Sequence, residues 1–251
     1  MELSIEDLPE VDRATKCALP LIFTSSEHPE YPGIRATSTA LRYGRETVFV
    51  TAAHVVARND DRTTIEVALG FRGEPLRCGI RDAVKPRPTG DEDAALCDFA
   101  VLRPVSSPSF IEGDSEAHDI SRFARMAAAH PKSLFAMCGY PSGHPSGNII
   151  DYSAHTITFG LQLAIGTYRG PSPFKGHHTL DVDTAQTGGP DGFSGGPVFR
   201  LLFDEERQTW IPALAGVVTH AGPTCAHFID IVHVGAFLRR EIFGHQARGG
   251  A

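Results

Sequence analysis

No apolar stretch in the 251 residues approaches the roughly 20 needed to cross a bilayer as a helix, so no membrane partner is expected. Runs of Lys or Arg are absent, and 30 acidic residues against 23 basic ones give a formal net charge of -7. Phosphate binding needs a basic excess or a basic stripe, which excludes nucleic acid as the expected partner. Cysteine is sparse and odd in number. Cys17, Cys78, Cys97, Cys138 and Cys225 include no Cys-x-x-Cys pair, which fits reduced core thiols better than a disulfide framework. Histidine is plentiful at 12, yet no His-Glu-x-x-His occurs, and adjacent His177-His178 cannot chelate like a helical i, i+4 pair. Neither a metal nor a cofactor is expected. The segment Met1 to Glu10 is acidic where a secretory signal is basic and then apolar, so the chain reads as cytoplasmic.

What is present describes a globular chain of short strands. Hydrophobic residues make up 41% and charged residues 21%, and 25 glycines with 18 prolines leave little room for long helices. Residues 1–17 read as a polar N-terminal arm. Ala36 to Tyr43 and Thr47 to Thr51 read as a hairpin across Gly44-Arg45, and further strands are expected at 64–69, 76–81 and 99–103. Composition changes between about Asp114 and Pro131, with a short helix at Asp119 to Ala127, which divides the chain into a front half, 18–115, a linker, 116–131, and a back half, 132–231. In the back half strands are expected at 133–138, 149–152, 156–165, 178–182, 198–203, 210–219 and 227–232. The chain closes on an amphipathic helix and tail, 232–251, with Val234, Phe237, Leu238 and Ile242 at helical spacing.

The stretch richest in chemistry is Asp191-Gly192-Phe193-Ser194-Gly195-Gly196-Pro197. A serine hydroxyl is a weak nucleophile at neutral pH and needs a base beside it and donors aimed at the developing oxyanion. Glycines at 192 and 195 permit positive φ, so consecutive N–H groups can converge on one point. By itself the stretch could be an ordinary glycine-rich turn, and Gly-x-Ser-x-Gly also matches the nucleophile elbow of α/β-hydrolases. An elbow serine, however, follows a buried strand and opens a helix, whereas Thr187-Gly188-Gly189-Pro190-Asp191 precedes Ser194 and Val198-Phe199 continues as strand. Two partners stand out. Val48-Phe49-Val50-Thr51-Ala52-Ala53-His54 sets His54 at the end of a buried strand, where it can serve as base. Cys97-Asp98-Phe99-Ala100-Val101-Leu102 sets Asp98 at the mouth of another, where a half-buried carboxylate can accept a histidine Nδ1–H. Each has a bland reading, a turn-capping histidine and a solubilising aspartate, but three such residues in three such contexts are unlikely to coincide by chance.

Thr51-Ala52-Ala53-His54, Asp98-Phe99-Ala100-Val101-Leu102 and Gly192-Phe193-Ser194-Gly195-Gly196-Pro197 resemble the three motifs of the chymotrypsin-like (trypsin-fold) serine peptidases, over about Ala18 to Phe243. The resemblance implies an all-β fold of two antiparallel six-stranded β-barrels with a C-terminal helix, His54 and Asp98 coming from the first barrel and Ser194 from the second. It implies a catalytic triad of His54, Asp98 and Ser194, an oxyanion hole made by the N–H groups of Gly192 and Ser194, and a serine endopeptidase reaction on a protein or peptide substrate. It also implies a primary pocket lined by Gly188, Gly189, Thr219, His220, Ala221 and Gly222. With no carboxylate in that set, a preference for Lys or Arg is not expected, and Thr219 and His220 could contact a polar or acidic side chain, or His220 could be a wall residue. Tyr140 to Gly147 resembles a loop near the pocket.

Two departures qualify the likeness. The secreted digestive members carry an aspartate before the serine that pairs with a freshly cut N-terminus; here that position is Phe193, so activation by that ion pair is not available. Their cysteine after the histidine is Val55 here, which is similar to the disulfide-free bacterial branch that includes the heat-shock peptidases, although no PDZ module is expected after the second barrel. The expected activity is that of a regulated intracellular protease with an activating protein partner. The rival expectation is a catalytically silent pseudopeptidase used as a protein-binding module.

Overall fold

β-Branched and aromatic side chains pack well on a pleated surface, and the frequent glycines and prolines end each run within a few residues, so the chain folds as a succession of short strands. A computed structural model describes residues 8–29, 32–57, 63–70, 76–88, 95–110, 115–121, 126, 129–141, 149–151, 153 and 156–244. A short helix, α1 (Pro9–Thr15), precedes the first barrel. That barrel comprises β1 (Ala18–Ser25), β2 (Gly33–Tyr43), β3 (Glu46–Thr51), β4 (Thr63–Ala68), β5 (Arg77–Val84) and β6 (Ala100–Pro104), with helix α2 (Ala53–Ala57) after β3. The six strands pair antiparallel in the order β1-β4-β5-β6-β3-β2, and β2 returns to β1 to close the ring. Gly44, at φ +63°, makes the tight turn of the β2–β3 hairpin, in which Tyr43 faces Glu46.

The second barrel is built from β8 (Leu134–Gly139), β11 (Gln162–Pro171), β12 (His177–Val182), β13 (Pro197–Asp204), β14 (Thr209–Ala221) and β15 (Cys225–Asp230). They close in the order β8-β11-β12-β15-β14-β13, and a separate hairpin of β9 (Ile149–Asp151) and β10 (Thr156–Thr158) lies outside the ring. Closure leaves neither barrel with an unpaired edge. The architecture is thus two closed six-stranded antiparallel barrels followed by a C-terminal helix, as the motifs imply. Among the described residues, which include all five cysteines, no disulfide forms, and no helix is long and apolar enough to cross a membrane.

Four local expectations change. The segment 156–165 is not one strand: it splits into β10 and the start of β11, and between them Phe159 meets Tyr140, ring centroids 6.2 Å apart. Asp119 does not open a helix; β7 (His118–Asp119) runs parallel to Leu41 and Arg42 of β2, and the rest of that predicted helix lies outside the described residues apart from Ile120, Ser121 and Met126. The N-terminal arm is a docked helix from Pro9 onward. Leu8, Val11 and Thr15 recur on one face of α1, and fully buried Leu8 and Val11 pack with Ala136 and Leu201 of the second barrel. The last helix, α3 (Ile231–Phe237), is capped by Asp230, whose side chain accepts from Val232 N–H at 2.9 Å, and it widens into a π-helical turn at Leu238–Phe243. Its stripe of Val234, Phe237 and Leu238 is buried as the spacing predicts, with Phe237 edge-on to Phe99 at 5.3 Å.

Candidate active site

Antiparallel pairing of β3 with β6 sets Thr51 opposite Ala100. The residues that follow Thr51 and those that precede Ala100 therefore emerge at the same end of the barrel, and this brings His54 to Asp98. His54 Nδ1 lies 3.3 Å from both carboxylate oxygens of Asp98, and the His54 backbone N–H donates to Oδ1, also at 3.3 Å. The pair is half-buried, with side-chain exposures of 33% and 18%. That is enough burial to keep the carboxylate ordered, while the imidazole stays open to a reactant.

The serine loop belongs to the second barrel but is clamped by the first. Buried Thr37 of β2 donates its hydroxyl to the Gly192 carbonyl at 2.7 Å, accepts from Tyr140 N–H at 3.0 Å, and gives its own N–H to the Ser194 carbonyl at 3.1 Å. Thr39 donates to the Gly195 carbonyl at 2.9 Å, and Thr51 holds Thr37 in turn by donating to its carbonyl at 2.9 Å. Within the second barrel, Gly195 N–H reaches the Val218 carbonyl and Gly196 N–H the Phe193 carbonyl, each at 2.8 Å. Gly192 and Gly195 take φ values of +102° and +88°. A Cβ on Gly195 would overlap the Thr37 carbonyl and the Thr51 hydroxyl, so only glycine lets the loop approach β2 this closely. Phe193 is fully buried in the core of the second barrel with Phe135, Met137 and Phe228, and it anchors the loop by apolar packing where an ion pair serves the digestive enzymes.

Among the described residues the N–H groups of Gly192 and Ser194 have no protein acceptor. The Ser194 hydroxyl donates to the Thr219 carbonyl at 3.4 Å, and no hydrogen bond joins it to His54. A long bond of this kind holds a hydroxyl weakly.

His220, expected to line a primary pocket or to stand as a wall residue, lies beside Asp98 and His54. It projects from β14 toward the first barrel, with Nδ1 3.5 Å from Asp98 Oδ2 and its ring centroid 5.3 Å from that of His54 and 6.0 Å from that of Phe174. Together with Phe174, His177 and Lys85, His54, Asp98 and His220 line a cleft of about 470 Å³. Gly188, Gly189, Thr219, Ala221 and Gly222 do not line it. Gly188 and Gly189 form a left-handed exit from the turn at Ala185–Thr187, buried Thr219 spans β14 and β15 by donating to the His227 carbonyl, and Gly222 N–H bonds to the Cys225 carbonyl. Of the loop Tyr140 to Gly147, residues 142–147 lie outside the described residues. Burial holds the imidazoles of His177 and His227 below their ordinary value, so both stand neutral beside the cleft, and the His177 Nδ1–H donates to the Lys175 carbonyl at 3.1 Å.

Two closed barrels with a glycine-rich serine loop pinned between them define the trypsin-like architecture. Residues 38–202 match the trypsin-like peptidase domain, and the chain belongs to that family. The matched span includes His54, Asp98 and Ser194. Among solved structures, the protease Anisep from Arthrobacter nicotinovorans aligns with a TM-score of 0.56 over 90% of this chain and 95% of that one, at 12% identity, a likeness of fold. No curated protein sequence matches the chain.

Proposed function

We propose that the protein is a serine endopeptidase that hydrolyses peptide bonds through a His54–Asp98–Ser194 triad and an acyl-enzyme, acting inside the cell under regulation by a protein partner. Ser194 Oγ attacks the substrate carbonyl as His54 Nε2 takes its proton, and Asp98 stabilises the imidazolium through Nδ1–H. The N–H groups of Gly192 and Ser194 receive the tetrahedral oxyanion. His54 then protonates the leaving amine, and water repeats the sequence on the acyl-enzyme.

The observation that carries this reading is the clamp. Thr37 and Thr39 fix the carbonyls of Gly192, Ser194 and Gly195, and among the described residues the N–H groups of Gly192 and Ser194 have no protein acceptor. To give its proton to His54, the Ser194 hydroxyl must turn away from the Thr219 carbonyl, which it meets at 3.4 Å. Such rotations occur in picoseconds to nanoseconds, so the resting hydrogen bond is no barrier. A primary pocket at Gly188, Gly189, Thr219, Ala221 and Gly222 would carry no carboxylate, and His220, engaged by Asp98, would be a wall rather than a contact for an acidic side chain.

The resting bond from Ser194 to Thr219 also favours the second reading, a silent pseudopeptidase that binds protein. Labelling with a fluorophosphonate probe separates the two. The peptidase reading expects one adduct per chain that is lost in Ser194→Ala, followed by cleavage of a peptide library; no adduct under any condition leaves the binding module.

A further inference from the structure

Asp98 is shared by two imidazoles. His54 Nδ1 stands 3.3 Å from it and His220 Nδ1 3.5 Å, and one ligating atom from each of the three side chains lies within 4.8 Å of the others. With bonds of about 2.0–2.2 Å from zinc to nitrogen or oxygen, two ligand atoms on a tetrahedral ion sit roughly 3.3–3.6 Å apart. Both carboxylate-to-imidazole separations fall on that spacing, and the two imidazoles offer ligand atoms within 4.8 Å of each other. The three donors come from different parts of the chain: the start of α2, the mouth of β6 and the end of β14. The backbone N–H of His54 bonds Asp98 Oδ1 and orients the carboxylate as a ligand-supporting hydrogen bond does. His220 is 56% exposed, so an ion has a path in from solvent and a fourth position open to water.

We propose that His54, Asp98 and His220 form a binding site for a zinc-type divalent cation, and that occupancy reversibly switches the peptidase off. Two imidazoles and a carboxylate with an open position suit zinc, whereas calcium and magnesium seek six or more oxygens and are not expected to bind. Both ways of engaging His54 silence it. A metal on Nδ1 takes the lone pair of the other neutral tautomer, in which the ring's single proton has moved from Nδ1 to Nε2, so Nε2 has no lone pair for the serine proton. A metal on Nε2 occupies that lone pair directly. In either case Ser194 loses its base, and removing the ion restores it without any covalent change. The switch rests on the peptidase reading; the binding site does not.

The test separates the two. Zinc binding is measured by calorimetry and by competition with a chromophoric chelator on full-length Ser194→Ala stripped with EDTA, so that no step depends on catalysis. One zinc per chain is expected, no calcium or magnesium, and more than about tenfold weaker zinc binding in both Ser194→Ala/His220→Ala and Ser194→Ala/Asp98→Asn, since loss of a direct ligand should cost at least what loss of a supporting partner does. Melting curves establish that both variants are folded. The site is overturned if zinc does not bind, or if either folded variant binds it as tightly as its parent. Fluorophosphonate labelling of the wild-type chain then reads the switch: labelling in EDTA that falls as zinc is added and returns on chelation supports it, and labelling indifferent to bound zinc overturns it. If Ser194 never labels while zinc binding follows His220 and Asp98, the peptidase reading fails and the metal site stands.

Discussion

Thr37→Val tests whether the clamp between the barrels builds the oxyanion hole. Valine fills the same volume, so the core keeps its shape, but both hydrogen bonds of the hydroxyl disappear: the 2.7 Å bond to the Gly192 carbonyl and the 3.0 Å bond from Tyr140 N–H. Thr37 is fully buried, so water cannot replace them. Each buried group left unsatisfied costs about 1–3 kcal/mol, which gives about 2–4 kcal/mol when the surroundings relax in part, or roughly 4–16 °C in melting temperature for a chain of this size. The catalytic effect is separate. Gly192, at φ +102° and with no side chain to hold it, depends on that carbonyl bond for the attitude of the peptides on either side. If Gly192 N–H serves the oxyanion as proposed, releasing that bond costs its alignment, and losing one such donor costs about 10²–10³-fold in rate. The rate of fluorophosphonate labelling of Ser194, with circular dichroism to confirm the fold, measures the effect without knowledge of the substrate. A folded Thr37→Val chain labelled at the wild-type rate would refute the reasoning, because the clamp would then be structural only.

Other expectations follow from the same geometry. Asp98→Asn should keep the fold and lower kcat by on the order of 10⁴-fold, as seen when a triad carboxylate is neutralised elsewhere, and a loss under tenfold would remove Asp98 from the triad. Phe193→Ala opens a cavity under the serine loop and should cost about 3–5 kcal/mol, read from urea denaturation, whereas a change under 1 kcal/mol would mean the side chain does not anchor the loop. Gly195→Ala must push its methyl into the Thr37 carbonyl and the Thr51 hydroxyl, so labelling at Ser194 should vanish even where the chain still folds. The neutral imidazoles of buried His177 and half-buried His227 have folded values below the unfolded one, so the unfolded chain takes up protons first as pH drops. Their effect is absent well above about pH 6.5, and stability falls as pH drops below it. His177→Asn should flatten the fall in melting temperature between pH 7 and pH 5, and an unchanged slope would show that His177 does not contribute to it.

The parts of this site that sequence reveals are those written in consecutive residues. His54 follows a buried strand, Asp98 opens one, and the glycines around Ser194 announce a backbone that L side chains cannot follow. Thr37 and Thr39 gave no such signal, because each reads as an ordinary strand threonine until the serine loop, 155 and 156 residues further on, arrives beside it. His220 is similar: metal-ligand spacing rules look for neighbours in sequence, whereas its partners Asp98 and His54 reach it only through the packing of the two barrels. The helix α1 is faint in the sequence because its seven residues hold one large apolar side chain, Val11, with Leu8 just before them, and the burial of Leu8 and Val11 depends on a surface the second barrel supplies. The break near residue 160 was hidden for the opposite reason, since Phe159 and Leu161 continue an apolar run whose ladder has already ended.

The two ends of the described chain cross over. Helix α1 precedes the first barrel yet lies on the second, while α3 follows the second yet meets the first through Phe237 on Phe99 and, just beyond it, Phe243 stacked on Tyr43 at 4.9 Å. Such reciprocal straps tie the halves into a single cooperative unit that should melt in one transition. Trimming either strap would act at a distance: the serine loop and the His54–Asp98 pair would both survive, but the two barrels that carry them would be held less firmly to each other.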